Sequence, residues 1–61
     1  MRLIIEIEME NAAFEYEPAT EAARILRRLA ERMVSEGIGA FSLVKLRDVD
    51  GNHVGFAKVE D

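Results

Sequence analysis

Cysteine and tryptophan are missing from this chain, and histidine, proline and tyrosine occur once each. Without thiols there are no disulfide staples and no cysteine nucleophile. One imidazole cannot build a zinc site, which takes three or four nitrogen, sulfur or carboxylate ligands. Long apolar runs are missing too: the longest stretch free of charge is Gly37 to Val44, against the roughly 20 residues that span a bilayer. No basic, apolar, small-residue leader precedes the first strand, so the expected setting is the cytoplasm, away from any membrane. What is present is 61 residues, 49% hydrophobic and 33% charged, with a formal net charge of -4. The expectation is a single domain over residues 1–61. A chain this short buries only about 60% of the surface its unfolded form exposes. With neither disulfide nor metal to assist, self-association is the expected source of further buried area.

From Arg2 to Glu10 the residues alternate, with Leu3, Ile5, Ile7 and Met9 on one side and Arg2, Ile4, Glu6, Glu8 and Glu10 on the other. That period of two predicts a half-buried strand. The alternation breaks over Asn11 to Glu17, and Pro18 then presets φ for a helix start. Ala22, Ile25, Leu26, Leu29, Ala30 and Met33 recur at three- and four-residue spacing, which predicts one apolar stripe on a helix from Pro18 to Glu36, with Gly37 as a left-handed stop. Glu17 is a poor capping residue, so the helix start has no clear cap. Two runs follow, Phe41 to Val49 and Asn52 to Glu60, joined at Asp50-Gly51, a hairpin signal. A two-residue turn pairs Asp48 with His53, Leu46 with Gly55 and Val44 with Ala57; a three-residue turn inverts that parity.

The order strand, helix, strand, strand predicts an α+β, two-layer β-α-β-β fold: a three-stranded sheet with one helix on one face. A right-handed crossover makes strands one and two parallel, and strand one can lie beside strand two or strand three. Val44, Leu46, Gly55, Ala57 and Val59 are expected under the helix. The reverse face then carries Ile4, Phe41, Leu43, Lys45, Arg47, Val54, Phe56 and Lys58, and its apolar members are the expected surface for a homodimer or another protein partner. Scattered apolar groups shielded by charged stems are the plain alternative.

Charge is uneven. Six of the twelve acids lie before Ala22, and Glu6, Glu8 and Glu10 form a row with roughly 7 Å between successive carboxylates at a rise of about 3.4 Å per residue. Such a row can mimic nucleic-acid phosphates and so inhibit a host defence or nucleic-acid enzyme by occupying its basic groove, although a solvated strand face balanced by Lys45 and Lys58 is the commoner case. On the helix, Arg24, Arg27, Arg28 and Arg32 are exposed cations able to meet phosphates. Glu21, Glu31 and Glu36 stand three or four residues away and can neutralise them, and the net negative charge argues against nucleic acid as a partner.

Chemistry is thinly represented. Asp48-Val49-Asp50-Gly51-Asn52 resembles a calcium loop only until Gly51 is set at the sixth position, which leaves Leu46 and Ala57 where oxygen ligands belong. His53 facing Asp48 is read as a turn-flanking pair, because no cysteine or placed serine completes a nucleophilic arrangement. Tautomerases of similar architecture use an amino-terminal proline as base, and Met1-Arg2 offers none. The expectation is a protein that is not an enzyme and has no cofactor, metal or catalytic residue.

The stretches Asn11-Ala12-Ala13-Phe14-Glu15, Ala23 to Ala30 (ARILRRLA) and Leu46 to Gly55 (LRDVDGNHVG) resemble a group of short hypothetical proteins of bacteriophages, prophages and plasmids. The likeness covers nearly the whole chain and its motifs are structural. That group has no established activity, so the resemblance implies an accessory protein of a mobile element and no site residues.

Overall fold

The computed structural model describes residues 1–61, the side chain of Ala40 excepted. Its elements run β1 (Arg2–Ile7), a 3-10 turn (Ala12–Phe14), α1 (Pro18–Glu36), a second 3-10 turn (Ile38–Ala40), β2 (Val44–Arg47) and β3 (His53–Glu60). The helix has the boundaries its sequence pattern predicts. Pro18 occupies the first turn, where its missing N–H costs nothing, and Glu17 makes no side-chain cap. Gly37 ends the helix at φ +83° while donating its N–H to Met33 O at 2.9 Å. Its ψ of 157° carries the chain out extended instead of into the left-handed helical region.

The sheet order is β1-β3-β2, and both neighbouring pairs are antiparallel. Strands β1 and β2 are therefore parallel to each other with β3 between them, which resolves the strand order that the sequence leaves open. The fold is α+β, with one helix on a three-stranded sheet.

Two irregularities in the hairpin set the faces. Asp48 donates its N–H to Asn52 O and Gly51 to Asp48 O, so the turn holds three residues, Val49 to Gly51, with Gly51 at φ +87°. That shifts the pairing by one and sets His53 against Arg47 instead of Asp48. A bulge between Leu46 and Arg47 then gives the step back, because β3 spends Val54 there without a partner. Leu46 meets Gly55 and Val44 meets Ala57, as a two-residue turn requires.

The core joins Phe14, Ile25, Leu29, Phe41, Val44, Leu46, Val54 and Ala57, with Ile7, Ala22, Met33 and Val59 packed around it. Two members expected on the reverse face thus lie inside. Val54 turns inward because the bulge releases it from the alternation. Phe41, 1% exposed, precedes β2 in a non-strand conformation (φ -97°, ψ 44°), so alternation never applied to it. Phe14 enters from the 3-10 turn before the helix, where the sequence offers no periodicity to find it.

Candidate functional site: the β1 edge and the α1–β2 cleft

An α-helix about 10 Å across cannot roof three strands spaced about 4.8 Å apart when it sits to one side. Here the core-side residues of β2, Val44 and Leu46, are buried, so the helix layer covers β2 better than β1. Arg24, Arg28 and Arg32 from the helix and Lys45 and Arg47 from β2 line a cleft between the two elements. On the opposite flank of the helix, at about 100° per residue, fall Ala19, Ala23, Leu26 and Ala30. The helix is therefore cationic toward β2 and small or apolar toward β1.

β1 is left partly uncovered on the side that faces the helix layer. Register pairs Leu3 with Val59 and Ile5 with Ala57, both core-side positions. Yet Leu3 is 43% exposed, Ile5 39% and Leu26 42%. Ile38 and Met1 are also exposed, and they line a shallow depression with Phe41 and Val59 at the end of this strip. β1 is an outer strand, so its far edge also presents unpaired backbone groups.

β2, the other outer strand, is guarded. It has only four residues, two of them Lys45 and Arg47, and its pairing with β3 is interrupted by the bulge at Val54. Arg24 Nη2 also reaches Arg47 O at 3.4 Å. These are the devices that keep a strand edge from pairing with another chain, and β1 has none of them along Leu3, Ile4 and Ile5.

The reverse face is more polar than its sequence suggests. With Phe41 and Val54 inside, Ile4 and Phe56 are its half-buried apolar groups, and Lys58 Nζ lies 5.8 Å from the Phe56 ring centre. Arg2 donates to Glu60 Oε1 at 2.6 Å, and Lys58 Nζ lies 3.5 Å from Glu60 Oε2. Arg2 holds the Glu60 carboxyl below its ordinary range, against a smaller opposing effect of desolvation. Leu43 is exposed outside the strand, and Lys45, paired with Phe56, stands on this face while Lys45 and Arg47 also border the cleft.

Each charged group of the sequence reading has a definite place. β1 ends at Ile7, so only Glu6 belongs to the regular strand; Glu8 adds one more bond by donating its N–H to Val54 O, and Glu10 lies beyond. Arg24 grips Glu21 with both its Nε (2.7 Å) and Nη2 (3.0 Å). Arg32 binds Glu36 at 2.9 Å. Arg28 also faces the cleft, whereas Arg27 does not line it. Glu31, Glu36 and Asp48 stand among these cations, so the cleft wall carries both signs. His53 Nε2 sits 2.9 Å from Gly55 O, and Asp48 is committed to Asn11, Asp50 and Asn52. The expected His53–Asp48 juxtaposition is therefore not formed, because the three-residue turn moves the register.

Glu21 is the polar group that sequence reasoning undervalued. Placed in the first helical turn, it is buried, and its Oε2 accepts the N–H of Val49 at 2.8 Å. It thereby ties the helix start to the hairpin turn. Its hydrogen bonds to Arg24 hold its carboxyl below the ordinary range, against the opposing effect of burial. Spacing signals the pair with Arg24, three residues on; nothing local signals Val49.

No helix of the described residues is long and apolar enough to cross a membrane. Comparison with protein-family models, curated proteins and solved structures finds no match to this chain.

Proposed function

We propose that this protein is a non-enzymatic protein-interaction module that works as a homodimer, and that it serves as an accessory protein of a mobile element, the setting its resemblance implies. The observation that carries the dimer is the unguarded β1 edge, where Leu3 and Ile5 stay exposed on the helix side beside the Ala/Leu flank of α1. A second copy is the natural occupant because a two-fold contact presents the same apolar strip twice, and because so small a core gains from added buried area.

Sedimentation over a concentration series tests this reading. The wild type is expected to sediment as a dimer at high micromolar concentration. Ile5→Lys should sediment as a monomer with its helical circular dichroism retained. Phe56→Asp, on the reverse face of the inner strand β3, should leave the dimer in place. A wild type that stays monomeric at high micromolar concentration overturns the dimer.

A further inference from the structure

A strand that meets its own copy has few registers open to it, and here one hydrogen bond sets which backbone groups are free. Glu8 donates its N–H to Val54 O at 2.8 Å, continuing the ladder in which Ile7 faces Gly55. In an antiparallel ladder the N–H and C=O of one residue point to the same side, and the side alternates along the strand. Arg2, Ile4 and Glu6 therefore turn their backbone groups to β3. Leu3, Ile5 and Ile7 turn theirs to the open edge.

We infer that β1 pairs antiparallel with β1 of a second copy, with Ile4 facing Ile4 on the two-fold axis. The inference rests on the dimer reading above and adds its geometry. Around this centre Leu3 faces Ile5 of the second copy, and the two exchange the outward hydrogen bonds that β3 leaves unused. Arg2 faces Glu6 of the second copy, so each cation meets an anion across the seam. The segment Arg2-Leu3-Ile4-Ile5-Glu6 is self-complementary when reversed: positive, three apolar residues, negative.

Neighbouring registers lack this match. Only an even shift keeps open backbone groups facing one another. A centre at Ile5 sets Ile4 against Glu6, and a centre at Leu3 sets Arg2 against Ile4. Directly opposed pairs are the unit of sheet stabilisation, so these mismatches count against both alternatives. Arg2 can serve Glu60 within its own chain and Glu6 across the seam together, because a guanidinium carries five donors. The two three-stranded sheets become one continuous sheet with both helices on the same face. The Leu26 flanks then face each other over Leu3 and Ile5.

The chain has no cysteine of its own, so single-cysteine variants report the register cleanly. Ile4 on the axis is a non-hydrogen-bonded pair with Cα atoms about 4.5 Å apart, within the roughly 4.4–6.8 Å that a disulfide spans. Under mild oxidation Ile4→Cys is expected to form a covalent dimer at least about tenfold faster than Leu3→Cys or Ile5→Cys, whose symmetry mates lie out of step. Glu6→Lys, which sets like charges opposite one another, should weaken the dimer about threefold to tenfold. Fastest cross-linking at Ile5 or Leu3, or an unchanged dissociation constant for Glu6→Lys, overturns this register while leaving a sedimenting dimer intact. A monomeric wild type overturns both the register and the dimer.

Discussion

Glu21 shows what a single side chain can hold together. It is 7% exposed, and its two oxygens take a bidentate arginine and a backbone N–H from an element 28 residues away. Glu21→Ala strands the Val49 N–H and deprives Arg24 of its partner, so it is expected to cost about 2–3 kcal/mol in urea unfolding. Acid should act through the same group. A carboxyl held below its usual 4.5 in the folded state releases its proton more readily there than in the unfolded chain, and so stabilises the fold at pH above about 4.5. That contribution is lost as pH falls through the lower, folded value. Asp48 acts in the same direction: burial pushes its carboxyl up, but the hydrogen bonds from Asn11, Asn52 and Asp50 together outweigh it. Glu60 is more exposed and adds little after solvent screening. The urea midpoint is therefore expected to fall as pH is lowered below about 4.5, and Glu21→Gln should show a shallower acid limb than the wild type. An acid limb unchanged in Glu21→Gln would remove Glu21 from this account. At this scale the sequence is legible in part: the Glu21–Arg24 spacing announces the ion pair, while the contact with Val49 depends on how the hairpin closes over the helix.

Elements whose signals are local are readable from the sequence. The helix follows from its stripe, its proline and its glycine stop, and β1 follows from alternation as far as Ile7. The hairpin is harder because two departures cancel: the three-residue turn shifts the register and the Val54 bulge restores it. Alternation alone therefore sorts Val44, Leu46 and Ala57 correctly while misplacing Val54. A local signal for the irregularity does exist, since a glycine inside a strand marks a bulge or a close backbone approach. At Gly55 an added Cβ would run into the backbone oxygen of Glu6, so β1 would have to move. Gly55→Ala is expected to destabilise by about 2–3 kcal/mol through this overpacking. Gly51 gives the contrasting case, with open space around it and only its φ of +87° to oppose a side chain. Gly51→Ala should cost about 1–2 kcal/mol, and equal losses at the two sites in chemical denaturation would refute the steric role of Gly55.

Across the whole molecule, one helix of 19 residues serves three strands and leaves β1 less covered than β2. Sequence reasoning anticipates that one sheet surface must go uncovered, and it assigns the exposed apolar groups to the reverse face. The structure moves much of that apolar exposure to the helix side of β1, because strand periodicity says which face a residue takes but not how far sideways the helix lies. The consequence is thermodynamic. If the β1 edges associate only in the folded state, mass action makes the melting temperature rise with protein concentration. For a dimer of this size a tenfold increase should raise it by up to about 6 °C, taking roughly 2.1 cal/mol/K per residue for the unfolding entropy. Ile5→Lys places a charge on the open edge at a position already 39% exposed, so the monomer keeps its core while the concentration dependence disappears. Calorimetry from low to high micromolar concentration separates the cases. A flat wild-type melting temperature contradicts association at this edge, and so does an Ile5→Lys variant that retains the full slope.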